Sequence, residues 1–162
     1  MAAYLPSLNV ESVAKYRQVY AENRHRIYAF AFWMTDNEMA AEELTANVFK
    51  RVFSRTADAD PEMIDCALVT ELREHMTLGI VTLECGTVTE VVQVRKNTMR
   101  VHLERAVVQL PPTERMVYLM HDIEGYGHER ISRTLGLSND ESITALHQAR
   151  LRMRELLAKM IS

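Results

Sequence analysis

The stretch GYGHERISRTLGLSND, residues 125–140, constrains this chain more than any other. Ile131 and Leu135 keep helical step up to Gly136; Leu137, Ser138 and Asn139 follow, and a long periodic run begins at once. Two helices joined by three or four residues, with a glycine at the bend, make a helix-turn-helix. Gly136 supplies the left-handed backbone that closes the first helix. Leu137 drops between the two helices, and Ser138 or Asn139 caps the second. Only five glycines and four prolines punctuate 162 residues, which favours long helices over a many-turned β fold.

The helix after the bend is expected to bury Ile143, Leu146, Met153, Leu157 and Met160. Its opposite face then offers Glu141, Thr144, Ala145, Gln148 and Arg152. In the DNA-binding form of this motif, side chains on the N-terminal turns meet base edges in the major groove. Arg130, Arg133, Arg150, Arg152 and Arg154 stand ready to neutralise phosphates. Short helical corners also occur in proteins that never touch DNA. The expected outer face is poor in readers, with no Lys or Arg from Ser138 to Ala149.

Upstream, Tyr16, Val19, Tyr20, Ile27, Phe30 and Met34 mark one face of a first helix. Asp36 or Asn37 then caps a second, which turns Met39 or Ala40, Leu44, Val48 and Val52 inward with Phe49 and Phe53 beside them. Asp60-Pro61-Glu62 is a helix start, and the third helix is expected to run to about Leu78 with Ile64, Ala67, Leu68, Leu72 and Met76 inside. Residues 79–94, GIVTLECGTVTEVVQV, read two ways: a short hairpin about Cys85-Gly86, or a connector feeding a helix that ends at Leu110-Pro111-Pro112. Thr113 is expected to cap the next helix, which buries Val117, Met120 and Ile123.

The net charge of −3 hides an uneven distribution. Residues 56–90 carry eight Asp or Glu against Arg73 alone, while the other segments are slightly basic. No run approaches the roughly 18 apolar residues of a membrane span. Neither an export signal nor a CxxC is visible, which fits a reducing cytoplasm. His121, His128, Cys66, His75 and Cys85 lack the tight pairing of a zinc site, and no phosphate loop or nucleophile motif is present. The expectation is therefore a non-enzymatic protein without cofactor or metal. Trp33 reads as a core anchor rather than a platform for bases.

The stretch from Leu103 to Leu157 resembles the −35-reading region of extracytoplasmic-function (ECF) sigma factors of bacterial RNA polymerase. The matching features are Leu110-Pro111-Pro112, Glu114-Arg115, Glu124-Gly125-Tyr126, Ile131, Leu135-Gly136-Leu137-Ser138, Leu146-His147 and Ala149-Arg150. Residues 16–53 are similar to the same family's polymerase-binding region, through Ala41-Glu42-Glu43-Leu44-Thr45 and Val48-Phe49. The resemblance implies an all-α chain of two small helical lobes joined by an acidic connector. A sigma region 2-like lobe would span 1–78, the connector 79–97, and a region 4-like helix-turn-helix lobe 98–162.

It also implies a cytoplasmic protein whose partners are core RNA polymerase, promoter DNA and an anti-sigma factor, with no membrane insertion. By that likeness Glu42, Glu43, Asn47 and Lys50 would meet the polymerase. The DNA-facing set would be Arg133, Ser138, Asn139, Glu141, Thr144, Ala145, His147, Gln148 and Arg152. Two departures stand out. The family follows its second helix with an aromatic, basic segment that melts the −10 strand, but residues 56–90 hold no Trp, Tyr or Phe and repel a polyanion. Three usual cations of the recognition helix are replaced by Ile143, Ala145 and Gln148. These departures leave a second reading open: a sigma-like adaptor or competitor with little DNA affinity.

Overall fold

Helical periodicity governs every described part of the chain. The computed structural model describes residues 10–79 and 100–161, and no strand occurs among them. The hairpin-or-helix stretch from Ile80 onward, with Cys85, lies outside those residues. Helix α1 (Val10–Thr35) buries Ile27, Phe30, Ala31 and Met34. It closes on Asp36, whose φ of +51° is left-handed and suits a short polar side chain. Of the two capping candidates it is Asn37 that acts, its Oδ1 accepting from the Ala40 amide at 2.9 Å.

Helix α2 (Glu38–Phe53) buries Ala41, Leu44, Thr45, Val48, Phe49 and Val52, while Met39 stays exposed. Edge-on ring pairs, Tyr16 with Phe53 and Tyr20 with Phe49, join it to the first half of α1. Helix α3 (Pro61–Arg73) starts as expected: the Asp60 carboxylate accepts from the Met63 amide at 2.8 Å, and Pro61 fills the first helical position. It stops at Arg73 rather than near Leu78, although Leu78 is buried all the same.

The second half begins with α4 (Arg100–Val107) and α5 (Pro112–Tyr118), which runs on through a π-helical turn, Leu119–Ile123. Thr113 does not cap α5. Pro112, with its fixed φ and no N–H to satisfy, starts the helix one step earlier and draws Thr113 inside it. The Thr113 hydroxyl instead accepts from the Gly79 amide at 3.1 Å, tying the two halves together. Val117 and Met120 are buried, but Ile123 is exposed at the end of the π turn. Helices α6 (His128–Leu135) and α7 (Asn139–Ile161) complete the chain.

The two halves lean on each other, α1 against α5 and α3 against α6. Arg115 is central to the first contact. Its guanidinium donates to the carbonyls of Trp33 and Met34 at the end of α1, and to those of Val108 and Leu110. The last carbonyls of a helix have no partner within it, so one cation closes α1 and fixes the Leu110-Pro111-Pro112 bend together.

Candidate nucleic-acid interface

The corner forms as its residues dictate. Gly136 takes φ +70° and ψ +32°, and the amides of Gly136 and Leu137 both return to the Ser132 carbonyl. Leu137 is buried between the helices. Ser138 and Glu141 form a reciprocal capping box: the Ser138 hydroxyl accepts from the Glu141 amide at 3.1 Å, and the Glu141 carboxylate accepts from the Ser138 amide at 3.3 Å. Asn139 does not cap; its side-chain oxygen accepts from the Ser132 hydroxyl at 3.0 Å.

The rotation of α7 differs from the expected one. Its inward stripe is Ser142, Ala145, Leu146, Ala149, Met153 and Leu157. Ala145 is fully buried and cannot reach a groove from this position, while Ile143, expected inside, is 51% exposed. The small Ser142, Ala145 and Ala149 let α7 approach α4, α5 and α6 closely, and the bulkier Ile143 is displaced outward. Gln148 is half-buried, and its amide oxygen is enclosed without a hydrogen-bond partner. Arg152 turns toward α5, where it donates to Glu114 at 2.8 Å. The outer edge of α7's first turns is thus Asn139, Glu141, Ile143 and His147, with Ser138 exposed at its start and Thr144 half-buried.

Most of the surrounding cations are occupied. Arg150 grips Asp122 with two hydrogen bonds, of 2.6 and 2.9 Å, which hold the Asp122 carboxyl below its usual range. Arg133 donates to Glu62 of α3 at 2.8 Å, and Arg130 to Asp65 of α3 at the same distance. The Arg130 guanidinium also lies 3.6 Å from the centre of the Tyr126 ring. Of the five arginines expected to meet phosphates, Arg154 alone has no partner among the described residues.

His121 and His128 straddle Gly125 with their rings stacked 4.8 Å apart. His128 Nδ1 bonds the Ser142 hydroxyl at 2.8 Å, and His121 Nδ1 bonds Asp122 at 2.8 Å. Burial, the neighbouring imidazole and Arg150 all lower the pKa of His128. Among the described residues no cluster of three or more His, Cys, Asp or Glu is placed to hold a metal ion. Burial pushes the Cys66 thiol up, away from reactivity.

On α2, Glu42, Glu43 and Lys50 are exposed and Asn47 half-buried. Trp33 is partly buried and packs edge-on against Phe32. The residue that the sequence reading missed is Asp65, a carboxylate with no exposed surface that lies between the two halves. Its spacing with Leu68 and Leu72, on the inward stripe of α3, was the available signal, since an acid there must find a cation.

The second half is a capped, glycine-bent helix-turn-helix, a motif that many nucleic-acid-binding proteins share. Residues 100–153 match the family described as sigma-70, region 4. The chain is 28% identical to the ECF RNA polymerase sigma factor SigE of Mycolicibacterium smegmatis, over 85% of this chain and 60% of that protein. It therefore spans only about 60% of that relative's length. Its fold is similar to that of the sigma factor RpoE of Bartonella quintana, solved in complex with the anti-sigma factor NepR. That likeness has a TM-score of 0.67 at 15% identity and covers 88% of this chain and 96% of that one. The all-α fold is thus that of a sigma factor. Likeness to sigma-70 region 4 is confined to residues 100–153, while the fold as a whole is similar to that of a solved sigma factor. Among the described residues no helix is long and apolar enough to cross a membrane.

Proposed function

We propose that this protein is an ECF-type sigma factor that binds core RNA polymerase and promoter DNA to direct transcription initiation. The observation that carries this reading is the corner at Gly136, which sets the first turns of α7 as a rigid, capped rod with an open outer edge. Ser138, Asn139, Glu141 and His147 are exposed at that end of α7 and Thr144 half-buried, which supports a role for them in reading a major groove. Glu141 suits a cytosine amine and Ile143 a thymine methyl. Ala145 and Gln148 have no part in that set, because α7 turns them inward. On α2, the exposed Glu42, Glu43 and Lys50 with half-buried Asn47 offer the surface for polymerase. An anti-sigma partner fits the same reading, since the structurally similar RpoE was solved with one.

One observation favours a second reading. Residues 56–90 hold no Trp, Tyr or Phe and a single cation, Arg73, so strand melting lacks its usual tools. A sigma-like adaptor or competitor would bind polymerase and leave DNA alone. Transcription from a promoter template with purified chain and core polymerase separates the two. Initiation at a defined start is expected of the sigma factor and eliminates the adaptor. Polymerase binding without open complexes, together with duplex affinity at the nonspecific level, eliminates the sigma factor.

A further inference from the structure

Helix α3 is placed against the one region that needs its positive charge free. Fully buried Asp65 accepts from Arg26 of α1 at 3.1 and 3.2 Å, and from Arg130 of α6 at 2.8 Å. One turn earlier, Glu62 accepts from Arg133 of α6 at 2.8 and 3.4 Å. At the other end of α3, Arg73 donates to the Leu135 carbonyl at 2.7 Å, closing the last turn of α6. Arg130 and Arg133 are the only Lys or Arg on α6, and the first helix of a helix-turn-helix is the one that crosses the phosphate backbone. A guanidinium held by a carboxylate is not available to a phosphate.

We propose that α3 acts as a built-in competitor of DNA, so that duplex binding and the α3–α6 contact exclude each other. This rests on the reading that α6 and α7 bind duplex. The ion pairs of the contact can part without stranding a charge. When α6 leaves, Asp65 keeps both bonds from Arg26, so no buried carboxylate is orphaned. Glu62 and Arg133 are partly exposed and rehydrate at small cost. The α2 surface takes no part in the contact and stays open throughout. A partner that docks there and favours the separated halves therefore raises DNA affinity by the factor with which DNA raises its own.

The test uses the full chain, a short mixed-sequence DNA duplex, and affinity measured across a salt series, with small-angle scattering on the same samples. Glu62→Gln is expected to tighten duplex binding several-fold. The bound chain is open and holds the same phosphates in both proteins, so the slope of log affinity on log salt should barely change, and adding Asp65→Asn to release Arg130 should tighten binding further. Glu74→Gln, which removes an acid at the far end of α3, controls for bulk charge and should leave the affinity unchanged. Glu62→Gln placed in an Arg133→Ala background should lose its effect. Where Asp65→Asn fails to fold by circular dichroism, Glu62→Gln alone decides. Wild-type binding that Glu62→Gln does not tighten overturns the competition and leaves the sigma-factor reading standing. If neither wild type nor variants bind duplex at low salt, both fall.

Discussion

At Gly136 a side chain would clash with nothing, the nearest atom being an Arg73 guanidinium nitrogen in ordinary contact, 3.6 Å from an added Cβ. Only the left-handed backbone opposes substitution there. Gly136→Ala is therefore expected to cost about 1–2 kcal/mol of unfolding free energy in urea, and Ser138→Ala roughly 1 kcal/mol through its lost cap. Positions 143 and 145 give a sharper contrast. Ala145→Arg forces a guanidinium into a fully buried site and should unfold the second half, whereas Ile143→Arg should leave stability within about 0.5 kcal/mol. If DNA lies along the outer edge of α7, Ile143→Arg also strengthens duplex binding; equal stability losses at the two positions would mean the rotation of α7 is misassigned. The corner was legible because Gly, Leu and Ser each have one physical job there. The rotation of α7 was not, because ranking residues by hydrophobicity puts Ile143 inside. Close approach of helices instead selects the small Ser142, Ala145 and Ala149.

Two elements are joined through the stacked histidines. His128 is hemmed in by His121 and Asp122 of the π turn and by Ser142 and Arg150 of α7, with Glu129 next to it on α6. Its folded pKa lies below the ordinary 6.5, so the unfolded chain takes up the proton first as pH falls. The stability tied to neutral His128 is complete above the unfolded value and is lost as pH drops through it toward the folded one. Urea unfolding between about pH 7.5 and 5 should show stability falling with acid, and His128→Gln should flatten that fall. An unchanged profile in the variant would assign the acid sensitivity elsewhere. Arg115 is the counterpart at the other helix junction. Removing it strands the carbonyls of Trp33, Met34, Val108 and Leu110, so Arg115→Ala should cost roughly 3 kcal/mol. The sequence marked Glu114-Arg115 as a family feature, but nothing local in it could reveal that the partners sit at the end of α1.

Across the whole molecule, the charge map foretold an acidic middle, and chain order foretold two helical groups. What it left open was where those acids go, because Glu62 and Asp65 find their cations on α6, far along the chain. The two bonds on either side of Asp65 differ in kind. Arg26 belongs to the same half as Asp65 and also reaches Asn23 and the Pro61 carbonyl, so it braces α1 against α3. Arg130 comes from the other half and, on the competition proposed above, leaves when the halves part. Arg26→Met should thus destabilise by roughly 3 kcal/mol, since it leaves a buried carboxylate with one remaining partner. Arg130→Met should cost nearer 1 kcal/mol while expanding the chain in scattering. Trp33, the only tryptophan, sits at the end of α1 beside Arg115 and reports both unfolding and opening by fluorescence. If Arg130→Met proves as costly as Arg26→Met and the chain stays closed until it unfolds, the halves form one cooperative core. The α3–α6 contact is then a permanent part of that core, and a duplex could reach α6 only by unfolding it.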